Sequence, residues 1–161
     1  MAIAVVLGNG TGSSPAPTTV TPVGPVALSA SRLKSYARTL NQVIYWVGPV
    51  IGDRYELTRT TANDVFVRYL PPGVEVGTHQ GEYLVVATYP FTGALAALKA
   101  ADTGQPLTVA GAKGAIASVD RAKPTSVRVA FPDVDYQIEV YDPSAKKARK
   151  LATSGALTPV P

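Results

Sequence analysis

The stretch SVRVAFPDVDYQIEVY, residues 126–141, decides how the rest of the chain is read. Val127, Val129 and Phe131 alternate with polar or small residues, and Tyr136, Ile138 and Val140 do the same after the break at Pro132-Asp133-Val134-Asp135. A period of two marks strands with one buried face, and a short break carrying Pro and Asp is turn chemistry. Pairing 131 with 136 sets Arg128 opposite Glu139 on the polar face. An opposite-charge pair there is worth about 0.2–1 kcal/mol, and a slip of one residue would turn every apolar side chain to water. The hairpin is therefore expected with its register.

Working outward, Asp142-Pro143 opens a final helix with Ala145, Ala148, Leu151 and Ala152 on one stripe and Gly155 as its stop. Upstream, residues 107–110 and 116–119 read as short strands. Residues 83–89 (YLVVATY) are apolar at both alternating sets of positions, which suits a central strand closed by Pro90. Thr92 is the expected cap of a helix carrying Ala94, Leu95, Leu98 and Ala101, ended by Gly104. A second hairpin runs over 55–60 and 65–70, ended by Pro71-Pro72-Gly73, with its register left open. Residues 43–47 form a strand stopped by Gly48-Pro49, and Ser31 is the expected cap of a helix through Leu40.

These elements specify an α+β fold: a mainly antiparallel sheet built from hairpins, with about three helices packed against it. A single domain is expected over residues 28–157, with 1–27 as an apolar stub and linker and 158–161 as a tail. Each half runs helix, strand, hairpin, a faint hint of duplication.

Hydrophobic residues make up 46% of the 161 and charged residues 16%, enough for a packed core. The net charge of +4 is scattered rather than striped, so nucleic acid is not indicated. With no cysteine there are no disulfides, thiolate metal sites or cysteine nucleophile. The apolar run at 2–7 is far too short to span a bilayer, and residues 8–25 (GNGTGSSPAPTTVTPVGP) read as a flexible or polyproline-like linker. The stub reads either as the outer end of a membrane anchor begun upstream or as an edge strand or frayed terminus. Gly8, Gly10 and Gly12 imitate a dinucleotide-binding loop, but Ser13-Ser14-Pro15 cannot open the helix that would hold a pyrophosphate.

The strings YWVGP (45–49), YELTRT (55–60), VRYLPPG (67–73), ATYP (87–90) and YQIEVYDPS (136–144) resemble a group of uncharacterised actinobacterial proteins. In that group a short transmembrane segment and a Ser/Thr-rich linker precede one such domain. The resemblance spans about residues 43–155 and implies an extracytoplasmic location. It implies no activity, cofactor or catalytic residue. The chain departs from the pattern in lacking a complete membrane segment.

Chemistry-bearing residues are few. His79 is the only histidine, in the loop 77–81, and a nucleophile triad would need a carboxylate to orient it. Asp133 and Asp135 are a close acidic pair, read as turn-capping rather than as a calcium site, which needs six or more oxygens. No catalytic residue, metal site or cofactor is assigned. Lys146, Lys147, Arg149 and Lys150 form a basic face on the last helix, suited to an anionic polymer or lipid or simply solvated. Tyr45, Trp46, Tyr69, Tyr89 and Tyr141 lie near strand ends marked by proline. On one sheet edge they would form a stacking surface for a glycan or peptide, whereas strand alternation would send about half of such residues into the core.

The leading expectation is a non-enzymatic cell-envelope domain that binds or senses a cell-wall polymer, peptide or protein, with membrane contact only through its N-terminal anchor. One alternative is a phage virion or other structural interaction protein. A second is a small hydrolase or isomerase using His79, which an exposed histidine would exclude.

Overall fold

The computed structural model describes residues 23–79, 82–101 and 106–161. The apolar stub, the linker as far as residue 22, and the expected helix stop Gly104 lie outside these residues. The chain runs β1 (Val23–Leu28), α1 (Ala30–Leu40), β2 (Tyr45–Trp46), β3 (Arg54–Arg59), β4 (Val65–Leu70) and β5 (Val85–Pro90). It continues with α2 (Ala94–Ala100), β6 (Leu107–Thr108), β7 (Ile116–Val119), β8 (Ser126–Ala130), β9 (Tyr136–Tyr141), α3 (Ala145–Thr153) and β10 (Thr158–Pro159). Eight strands form one antiparallel sheet in the order β1-β3-β4-β5-β9-β8-β7-β6, and β10 pairs with β2 in a small second sheet. The fold is α+β with a mainly antiparallel sheet.

Alternation sets the two faces. Leu57, Val67, Val86, Val140 and Val127 lie side by side across five strands and are fully buried. They share the main core with Leu33 and Ala37 of α1 and with Ala148 and Ala152 of α3. Helices α1 and α3 therefore cover the same face. Helix α2 takes the other, where Ala94 and Leu98 meet Ala130 and Ile116 in a separate cluster. The rest of that second face carries Glu56, Arg68, Phe66, Arg128 and Glu139.

The expected hairpin register holds, with Arg128 opposite Glu139. The ion pair does not form: among the described residues the salt bridges are Arg68–Glu56 and Lys147–Asp142. Glu139 instead accepts hydrogen bonds from the hydroxyls of Ser126 and Tyr89. Arg128 is exposed, where an ion pair gains little over hydration. The strand order is symmetric about the β5–β9 seam, with meanders β3-β4-β5 and β7-β8-β9 on either side. The helices that open the two halves, α1 and α2, lie on opposite faces of this sheet.

Several boundaries move. Residues 23–27, read as linker and stub, belong to β1, because pairing with β3 satisfies their backbone despite Pro25, and edge strands tolerate proline. Ser29, not Ser31, caps α1, accepting from the Arg32 N–H at 3.3 Å. Thr92 does not cap α2. Gly93 holds that position at φ 75°, and Asp135 accepts its N–H at 3.2 Å.

The expected tail is structural as well: Thr158 and Pro159 pair with Trp46 and Tyr45, and the Val160 N–H donates to the Ile44 carbonyl at 2.7 Å. Removing residues 158–161 deletes these bonds and uncovers β2, so a loss of about 2 kcal/mol is expected, read as a lower urea midpoint. An unchanged midpoint would return the segment to the status of a tail.

Candidate functional site

The aromatic residues do not share one edge. Tyr45, Trp46 and Tyr69 are buried beneath the helices, where alternation and burial win over display. The Tyr45 ring stacks on Phe131 at 5.4 Å, Trp46 meets Tyr55 edge-on at 6.0 Å, and Tyr55 meets Tyr69 at 5.1 Å. Tyr89 lies on the second face, edge-on to Phe66 at 5.8 Å. It is also at the far end of β5, since Pro90 pairs with Tyr136 while Val85 pairs with Tyr141. Tyr141 is half-buried, and burial first, then the neighbouring Glu82 carboxylate, raise its phenol pKa. The five therefore divide between core and two separate places on the surface.

Three of the proline-marked strand ends nevertheless meet. Val47 and Val50 follow β2, Tyr69 and Pro71 close β4, and Asp142 and Pro143 follow β9. With Leu84, Tyr83 and Leu151 they enclose a cleft of about 320 Å³. Its charged groups are Asp53, Glu82, Asp142 and Lys147: three carboxylates against one ammonium, in a chain whose net charge is +4. Three other hollows are larger, about 550 Å³ between β1 and α1, about 640 Å³ around the loop 109–115 and about 340 Å³ between the end of α1 and Pro159, but none of them gathers carboxylates.

Local chemistry fixes each wall. The Tyr69 hydroxyl accepts from the Val47 N–H at 3.0 Å and donates to the Gly48 carbonyl at 3.1 Å. The Val50 N–H donates to the Tyr55 hydroxyl at 2.9 Å. Two buried phenols thereby hold the loop 47–53 against the sheet. Gly48 and Gly52 adopt φ of 82° and 88°, which residues with a Cβ rarely do. Ile51, at the loop tip, is wholly exposed. Opposite, Asp142 accepts from the Ser144 N–H at 2.9 Å and pairs with the Lys147 ammonium at 2.8 Å. Ser144 caps α3 by accepting the Lys147 N–H.

Burial pushes the Tyr69 and Tyr89 phenols well above the ordinary value of 10.0, Tyr89 with help from the neighbouring Glu139 charge. A raised tyrosine pKa means that the fold favours the neutral phenol. Its stabilisation is fully present below the unfolded value near 10.0 and is lost as pH rises toward the folded value. The urea midpoint is expected to be flat up to about pH 9 and to fall steeply by about pH 11. A Tyr89→Phe variant should fall less; equal slopes would contradict the assignment.

The basic face is where the helix period put it. Lys146, Lys147, Arg149 and Lys150 are exposed on α3 while Ala148 and Ala152 are buried, and Lys147 is drawn to Asp142. His79 is exposed and has no hydrogen bond or ion pair among the described residues. Its loop is held by its neighbours, with the Gly77 N–H on Glu56 at 2.6 Å and the Thr78 carbonyl accepting from Arg68 at 2.8 Å. Among the described residues no carboxylate is paired with His79, as a hydrolase centred on it would need. Asp135 ties the turn 132–135 to the start of α2, and Asp133 sits at φ 56° in that turn. Among the described residues no three potential metal ligands cluster.

Comparison with protein-family models, curated proteins and solved structures yields no match. The chain is assigned to no family. Local sequence carries little trace of the cleft: Asp53, Glu82 and Asp142 are far apart in the chain, and the one usable signal is the recurrence of Tyr near Pro at strand ends.

Proposed function

We propose that this domain is a non-enzymatic binding module of the cell envelope, receiving a peptide or wall-polymer partner in the cleft between the loop 47–53 and the start of α3. The observation that carries the reading is the convergence of Val47, Asp53, Tyr69, Glu82 and Asp142, distant in sequence, on one partly enclosed acidic hollow of a basic protein. Convergent polar groups in an apolar concavity are what ligand sites have in common. The Gly/Ser/Thr/Pro segment before β1 has the composition of a spacer, and the resemblance to anchored extracytoplasmic domains supports the location.

The test is co-sedimentation of the purified protein with isolated envelopes of its source cells. Leu151→Trp, which fills the cleft from its α3 wall, is expected to abolish retention, while Lys146→Ala on the outer side of that helix leaves it intact. Equal retention of both variants would remove the cleft from the function. Tag loss from intact cells treated with protease checks the location; full protection would contradict it.

A further inference from the structure

Asp142 is the most buried charged group lining the cleft. Its side chain is 3% exposed, and Oδ2 is shut off from solvent with no partner except the ammonium of Lys147, 2.8 Å away. The lysine side chain is 57% exposed, so its charged end can leave for water. An ion pair with one partner in water is worth little, whereas the buried carboxylate left behind needs a cation. The chain's own ammonium thus marks a cation position at the cleft floor. Asp53 and Glu82 add negative charge at the sides, and Val47, Leu84 and Leu151 supply apolar wall. An aliphatic chain ending in a protonated amine fits each of these features. A neutral sugar offers Asp142 hydroxyl donors but no positive charge to replace the ammonium.

We propose that the cleft binds a primary alkylammonium group, which replaces Lys147 at Asp142 while Lys147 turns out to solvent. This rests on the reading of the cleft as the binding site. The same group is carried by a free diamine and by a lysine-type side chain of a peptide, and the test separates the two.

Amide chemical shifts of the labelled full chain are followed during titration with cadaverine, with Nα-acetyl-lysine methylamide, and with the Nε-acetylated form of the latter. The two ammonium compounds are expected to shift Val47, Tyr83 and Leu151, and the neutral twin to shift none. The tighter of the two names the source. Lys147→Met, which removes the internal competitor, should tighten binding about threefold, and Asp53→Asn should weaken it about two- to fivefold. Equal binding of the neutral twin, or no gain from Lys147→Met, overturns the inference but leaves a binding cleft. Absence of shifts with all three overturns it too, and the Leu151→Trp envelope comparison then decides separately whether the cleft binds anything.

Discussion

Tyr69→Phe is expected to lower stability by about 2 kcal/mol, with an unchanged urea m-value and a melting temperature lower by about 4–8 °C. The substitution keeps the buried ring and its edge contact with Tyr55, so the apolar core is left intact. What is lost is a hydroxyl that both accepts from Val47 and donates to Gly48. Without it, an N–H and a C=O on a half-buried turn lose their partner together, and the cost is that of two under-satisfied groups rather than of one average hydrogen bond. Because water reaches part of this turn, the loss stays below the fully buried limit. The same change should speed hydrogen exchange at Val47 and Val50 and loosen the cleft wall. A variant within about 0.5 kcal/mol of the parent would mean that the sheet pairing of β2 holds the loop without the phenol.

The difference between this turn and the hairpin 126–141 shows what sequence can reveal. In the hairpin, alternation on both arms and a four-residue break constrain the register locally, so Arg128 opposite Glu139 was legible. What Glu139 would bond was not, since Ser126 and Tyr89 reach it from the far end of the hairpin and from another strand. The hairpin of β3 and β4 has a four-residue break too, but 65–70 (VFVRYL) is apolar at both alternating sets of positions, so its pairing of Tyr55 with Tyr69 follows from which side chains the core accepts. Strand β1 carries Gly24 and Pro25, so local propensity argued for linker, and only the free edge of β3 makes a strand of it. The pairing of 45–46 with 158–159 spans almost the whole domain and leaves no local trace. Helix α2 was placed correctly but capped wrongly, because Gly93 takes the cap position and Asp135, which accepts its N–H, lies in the opposite hairpin turn.

The cleft belongs to the same class of long-range facts. Its most buried carboxylate also has an ordinary local role: Asp142 holds the N-terminus of α3. Acidic residues before a helix are common because the first N–H groups and the helix dipole favour them. Separating that role from ligand binding is the purpose of the second large prediction. Asp142→Asn retains an oxygen for the Ser144 N–H, so stability should change by less than about 1 kcal/mol. The charge is removed, Lys147 goes to solvent, and alkylammonium binding should weaken at least about tenfold. Asp142→Ala loses both the cap and the charge, so it should destabilise by about 1 kcal/mol as well as abolish binding. If the asparagine variant bound as the parent does, Asp142 would be a capping residue alone, and the pairing with Lys147 would be the end of its chemistry. If it lost binding while keeping its unfolding midpoint, the buried carboxylate would be serving a ligand, because its structural duty needs an oxygen but no charge.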